Sequence, residues 1–324
     1  MKTSNKVGSY ALGLVAIFAA ALGAGGALGP DTRPSQAGHD GGEHTGDDHA
    51  TTSPNGADEI PGGLQVAENG YRLIPITTSL NTGTAAPFRF QVTGPDDTPV
   101  TAYTPTHDKN LHLIVVRRDL SGFQHLHPQM AGDGTWSVPL TVAAAGQYRL
   151  FADFQPAART EPLTLGIDLP AAGGYEPRPL PTPTRTATVE DYTVTLAGDL
   201  VPGTASKLTL TVTKAGTPVT DLQPYLAAYG HLVALRDGDL AYLHVHPEGA
   251  PGDGRTAAGP DITFYAQVPS SGAYRLFLDF QHAGTVRTAE FTALAGNAPH
   301  VATPGRAEPT PSPSGGHDAG HSHN

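Results

Sequence analysis

The chain has no cysteine among its 324 residues. That excludes disulfides, thiolate-bound zinc, iron–sulfur clusters and blue-copper centres together, and with them a lipid-modified cysteine behind a leader. Methionine is nearly missing too: Met1 and Met130 are the only two, too few for a thioether-rich cuprous site. Any transition metal must therefore be held by nitrogen and oxygen. Basic residues are scarce, with 19 Lys and Arg against 30 Asp and Glu and a formal net charge of −11. A nucleic-acid partner would need a basic footprint that this balance does not supply. Helical periodicity is also lacking in both halves. The 39 glycines and 30 prolines favour short strands and many turns instead.

What the chain does have is one histidine constellation written twice. The first copy is Leu111-His112-Leu113-Ile114-Val115-Val116-Arg117, then His125-Leu126-His127-Pro128, then Phe151-Ala152-Asp153-Phe154-Gln155. The second is Gly230-His231-Leu232-Val233-Ala234-Leu235-Arg236, then His244-Val245-His246-Pro247, then Phe277-Leu278-Asp279-Phe280-Gln281. The lone histidine precedes the His-x-His pair by 13 residues in both. Histidine is the commonest metal-ligating side chain, which makes this the most informative pattern present.

Around it, strand-like segments repeat. Residues 71–76, 88–92, 111–116, 136–140 and 148–154 are short, rich in β-branched or aromatic residues, and bounded by Gly, Pro, Asp and Asn. The pattern returns at 192–196 and 208–213, and the segments 98–101 and 217–220 are both Thr-Pro-Val-Thr. Gly146-Gln147-Tyr148 and Gly272-Ala273-Tyr274 resemble the tyrosine corner of immunoglobulin-like sandwiches. The expected fold is all-β: two tandem immunoglobulin-like antiparallel β-sandwich domains, at 64–169 and 186–295, with disordered N- and C-terminal tails. A stiff, Pro-rich linker covers 170–185. Residues 30–63 read as a disordered acidic linker, because seven carboxylates against Arg33 in 31–60 leave little to bury. Residues 296–324 read as a second disordered, His-containing tail. The tail histidines His39, His44, His49, His300, His317, His321 and His323 are a separate class that can gather divalent metal weakly.

Residues 1–29 read as an export signal or membrane anchor. Lys2 and Lys6 precede an uncharged tract, with residues 10–28 apolar. Cleaved or retained, this segment predicts an extracytoplasmic chain, either secreted or held to the cytoplasmic membrane through this segment alone.

A hairpin argument predicts that the histidines converge. A two-residue turn at Asp237-Gly238 would pair Arg236 with Asp239 and set His231 opposite His244. His246 then shares that face. In the first copy, a two- or four-residue loop around 119–122 puts His112, His125 and His127 on one face. Asp153 and Asp279 interrupt apolar strands, where an unpaired charge is costly, so each is a candidate fourth ligand or an acceptor that orients an imidazole. His107 and His282 have no counterpart in the other copy and are left out.

The motifs Gly-His-Leu-Val-Ala-Leu-Arg, Leu-His-Val-His-Pro and Leu-Phe-Leu-Asp-Phe-Gln-His resemble exported bacterial proteins with tandem immunoglobulin-like, YtkA-like domains, described as heavy-metal-associated. The resemblance covers about 64–295 and implies a role in copper handling. The leading expectation is an extracytoplasmic binding protein for Cu(II) or Zn(II). Each repeat would have one site, His112, His125, His127 and Asp153 in the first and His231, His244, His246 and Asp279 in the second. The alternative is an envelope interaction or scaffold module, with another envelope protein as partner and structural histidines. A third reading, metal-dependent hydrolysis with Asp153 or Asp279 as base, ranks last because no nucleophile elbow or His-Glu-x-x-His helix is present.

Overall fold

The structure is a computed structural model that describes residues 60–296, apart from the side chains of His244 and His246. The export segment, the acidic stretch before residue 60 and the histidine tail after residue 296 lie outside the described residues. Among the described residues there is no helix, and the strands form four antiparallel sheets, two per repeat.

Repeat 1 runs through β1 (Ala67–Glu68), β2 (Tyr71–Pro75), β3 (Ala86–Thr93), β4 (Leu111–Arg117), β5 (Gln124–Leu126), β6 (Gln129–Met130), β7 (Thr135–Leu140), β8 (Gly146–Phe154) and β9 (Leu163–Ala171). Its outer sheet has the order β1-β2-β3-β7-β6 and its inner sheet β5-β4-β8-β9. Repeat 2 follows with β10 (Thr186–Val189), β11 (Tyr192–Ala197), β12 (Ala205–Lys214), β13 (Thr217–Pro218), β14 (Gly230–Arg236), β15 (Tyr242–His244), β16 (His246–Pro247), β17 (Asp261–Gln267), β18 (Gly272–His282) and β19 (Thr285–Ala295). Its outer sheet is β10-β11-β12-β17-β16, with β13 added on β12, and its inner sheet is β15-β14-β18-β19.

The outer strands show the period of two that a half-buried sheet demands. In β3, Phe88, Phe90 and Val92 are buried and Arg89 is exposed; in β11, Tyr192, Val194 and Leu196 are buried while Thr195 faces out. The inner strands do not alternate, because both their faces are covered. In β4, Leu111, Leu113 and Val115 enter the core of repeat 1, while Ile114 and Val116 enter a third cluster. That cluster joins the repeats: Ile114, Val116, Leu120 and Phe151 pack with Val233, Leu235, Leu240, Tyr242 and Phe277. Phe123 stacks on Phe277 with ring centroids 4.0 Å apart, and Phe151 meets Tyr242 at 5.5 Å. The two inner sheets thus face each other across an apolar layer. The segment read as a stiff spacer keeps an irregular backbone but is docked. Leu180 packs on the layer, and the Arg178 N–H donates to Asp119.

The two-residue turn expected at Asp237-Gly238 is corrected to a four-residue loop. Leu235 pairs with Tyr242 and Val233, not His231, pairs with His244. Leu240 accounts for the difference. It takes a φ of 61° and is buried in the layer, while Asp239 binds the Arg236 guanidinium and the Ala241 N–H. Repeat 1 turns differently, with Leu120 at φ 63° donating its N–H to the Arg117 carbonyl and the Arg117 N–H donating to Ser121 O, yet Val115 pairs with Gln124 and Leu113 with Leu126. That register preserves parity, so His112, His125 and His127 stay on one side.

Candidate metal centre

His112 is the second residue of β4, His125 the middle of β5, and His127 follows β5 where the chain leaves the inner sheet. The next strand, β6, pairs with β7 in the outer sheet. Pro128 lacks an N–H and suits this break in the ladder. One ring nitrogen from each of the three histidines falls within 4.8 Å of the others.

The partners of the outer nitrogens decide the chemistry. His112 Nε2 lies 2.9 Å from the Thr106 carbonyl oxygen, and His125 Nδ1 lies 2.8 Å from Asp279 Oδ2. A carbonyl and a carboxylate can only accept, so each of those nitrogens must carry its ring's proton. That leaves His112 Nδ1 and His125 Nε2 as bare lone pairs, and they face one another at 3.0 Å. Two lone pairs at that distance repel unless a cation sits between them, either a further proton or a metal ion. Nitrogen ligands at zinc distances on tetrahedral corners stand about 3.3 Å apart, so a few tenths of an ångström of opening admits an ion. Among the described residues, His127 Nε2 is buried with no hydrogen-bond partner.

Burial keeps His112 and His127 neutral. Burial pushes His112 down to about 4, partly opposed by the Thr106 bond and assisted by His125. His127 is pushed down to about 3 by burial, then by His125 and His112. Neutral imidazole is the ligating form.

Asp279 comes from repeat 2, so the first triad is completed across the layer. Its other oxygen accepts a 2.6 Å bond from Thr288 Oγ1. Asp153, assigned by sequence to the first triad, pairs in register with His112 and accepts from Tyr242 of repeat 2 at 3.3 Å and from Thr164 at 3.2 Å. The spacing argument assumed that each carboxylate serves its own repeat. It did not reach the contact of Asp279 with His125, because docking is invisible to strand periodicity. His231 is buried, and its Nε2 lies 2.9 Å from the Tyr225 carbonyl and 3.0 Å from that of Leu226. Burial, then His107, push it down to about 4. His244 ends β15 and His246 opens β16.

Sequence reasoning left out His107, whose ring stands 6.1 Å from that of His112 and 5.0 Å from that of His231. It occupies a turn with φ of 50° at His107 and 60° at Asp108, closed by Thr106 pairing with Lys109. The signal was available: this turn lies immediately before His112, as the Tyr225–Ala228 pair lies before His231. His282 falls outside the layer, bonded to Tyr192 and Asp221.

The sequence pattern of one family, described as a domain of unknown function (DUF8832), matches twice, over residues 65–168 and 187–297. The chain belongs to the DUF8832 family. Both DUF8832 repeats carry the histidine pattern, and the family's description names no metal and no YtkA-like relationship. What stands of the earlier resemblance is the tandem sandwich architecture. No curated protein matches the chain in sequence. Among solved structures the chain is similar to the Escherichia coli adhesin FdeC, at 15% identity and a TM-score of 0.24, over 71% of this chain and 65% of that one. It is also similar to the Yersinia pseudotuberculosis adhesin InvE, at 13% identity and a TM-score of 0.20, over 74% of this chain and 61% of that one. The chain spans less than two thirds of either protein, and likenesses at this level say nothing about the work of the DUF8832 repeats.

Proposed function

We propose that the chain is an extracytoplasmic binding module for a divalent transition metal, Cu(II) or Zn(II), held where its two sandwiches dock. The observation that carries this is the 3.0 Å approach of His112 Nδ1 to His125 Nε2, with acceptors on their opposite nitrogens. Acceptors of this kind are what orient ligating imidazoles in metal sites. Imidazole suits both ions, and the affinity order favours copper where geometry permits. Binding fits better than hydrolysis, because Asp279 is committed to His125 and Thr288 and is not available as a base. The export segment supports the location, and a reporter fused after Leu64 tests it by being active only outside the membrane.

The metal reading is tested by calorimetric titration of the full chain with its tail histidines replaced by asparagine. Zn(II) and Cu(II) should bind near neutral pH, and His127→Ala should weaken binding at least tenfold. Absence of binding at micromolar metal would sink the reading. A second reading then takes over, that of an envelope interaction module. It is favoured by the chain of contacts from Thr106 through His112 and His125 to Asp279, which ties a loop, a sheet and the opposite repeat together.

A further inference from the structure

We propose that the layer holds two divalent ions, each bound by the histidines of one repeat and oriented by the carboxylate of the other. This rests on the metal reading of the first site and extends it to His231 and Asp153. The duplication is kept in the backbone register. His112 pairs with Asp153 as His231 pairs with Asp279, and Ile114 pairs with His125 as Val233 pairs with His244. The turn before each lone histidine is kept as well, so the Tyr225 and Leu226 carbonyls hold the proton of His231 on Nε2, as Thr106 does for His112. The lone pair of His231 is thereby on Nδ1, the nitrogen that His112 turns toward His125.

The crossing between repeats follows the same two-fold pattern. Phe123 stacks on Phe277, and two residues further along each strand His125 meets Asp279. In the other half, Tyr242 packs on Phe151 and donates to Asp153. Two residues beyond Tyr242 the backbone places His244, the position that answers His125, and His246 answers His127. His244 ends β15 as His125 lies within β5, and the same His-x-His spacing carries His246 to the start of β16. Each set takes groups from both repeats. An ion that binds the docked form alone therefore stabilises docking by mass action.

The test is a Cu(II) titration of the full chain with its tail histidines replaced by asparagine, followed by calorimetry and electron paramagnetic resonance. Two ions should bind, and the second should broaden the signal of the first by dipolar coupling. His231→Ala should remove one ion and His127→Ala the other. The near-isosteric Asp279→Asn should weaken, by about 10–100-fold, the ion that depends on His127. Added to His127→Ala it should cause no further loss, whereas added to His231→Ala it should show its full effect. A single ion indifferent to His231→Ala overturns the second position and leaves the first standing. If Asp279→Asn weakens the ion that depends on His231, the crossing is overturned. No ion at all overturns both this inference and the reading beneath it. The stoichiometry of the chain without site substitutions decides the count even if a variant fails to fold.

Discussion

The two repeats carry an arginine–aspartate pair on corresponding hairpins in different surroundings. In repeat 1 the Arg117–Asp119 pair is covered: Arg117 also donates to the carbonyls of Ala145 and Glu176, Asp119 accepts from the Arg178 N–H, and both side chains are 4% exposed. The equivalent Arg236–Asp239 pair, which adds a bond to Ser270 Oγ, is 21% and 40% exposed. Burial pushes the Asp119 carboxyl up, but the bonds from Arg117, Arg178 and Ser121 outweigh it and hold the group well below the usual carboxylate range. One motif is thus a buried ion pair beneath the inter-repeat segment and also an ordinary surface contact. The duplication preserved the pair, with the aspartate two residues after Arg117 and three after Arg236, while the neighbours set the energetic weight.

The largest expected effect breaks that comparison directly. Asp119→Ala leaves the Arg117 guanidinium buried without its counter-charge, which costs about 3–5 kcal/mol. Asp239→Ala removes a partly solvated pair and should cost about 1 kcal/mol or less. Urea denaturation of the two variants should separate them clearly, and equal losses would show that the inter-repeat segment does not cover the first loop in solution.

The repeats also differ in what enters the layer from the N-terminal side. The Tyr242 N–H donates to Gly62 O, the Gly63 N–H to Thr164 O and the Gly166 N–H to Gln65 O, so this short segment bonds to both repeats. Gly63 has a φ of 74°, and a Cβ there would meet the Phe151 ring at 2.4 Å. Gly63→Ala should therefore destabilise by about 1–3 kcal/mol through overpacking and strain. The matching measurement is the thermal midpoint, which Gly203→Ala should lower much less, since its surroundings are open within 4 Å at a similar φ of 72°.

These contrasts show what the sequence could carry. Strand positions in β3 and β11 were legible because one face is wet, and the convergence of His112, His125 and His127 was legible because parity survives any even loop. The turn at Asp237-Gly238 was misread because Leu240, a buried residue at positive φ, outweighed a local preference. The continuous apolar run of β4 is itself the mark of a strand covered on both faces. The second cover is the other repeat, and no local pattern encodes that. The contact of His125 with Asp279 spans 154 positions of sequence. His107 was passed over because Leu226 replaces it in the other repeat, yet its ring stands near both His112 and His231.

A third prediction sharpens the comparison through pH. His112 and His231 are each pushed down to about 4 by burial, and His127 to about 3. The unfolded chain takes up protons at the ordinary value near 6.5, while the folded chain resists them down to about 4. Stability is therefore full above about 6.5 and is lost progressively as pH falls through the interval to about 4, with a slope of at most about 1.4 kcal/mol per pH unit for each histidine. His112→Gln and His231→Gln should flatten the slope by similar amounts in thermal melts without metal. The same shifts move proton competition for a bound metal below the value of about 6.5 expected of an unperturbed histidine. Metal should stay on the layer at a pH where ordinary exposed histidines have released it.

The smallest expected effect is one in which the repeats should agree. Tyr148 donates its hydroxyl to the Ala144 carbonyl at 2.7 Å, and Tyr274 donates to Ser270 O at 2.9 Å, each four residues upstream and each from a ring buried in its own sandwich. Neither contact depends on the layer, the inter-repeat segment or the histidines. Tyr148→Phe and Tyr274→Phe each remove one neutral hydrogen bond and keep the ring, so each should cost about 1 kcal/mol. Because the geometry matches, the two losses should agree within a few tenths of a kcal/mol in urea denaturation. A clearly larger loss for Tyr148→Phe would mean that the first corner is coupled to the covered Arg117–Asp119 loop, whose Arg117 reaches the neighbouring Ala145 carbonyl. Equal losses would confine the difference between the repeats to the loop and the layer, leaving two equivalent sandwiches beneath them.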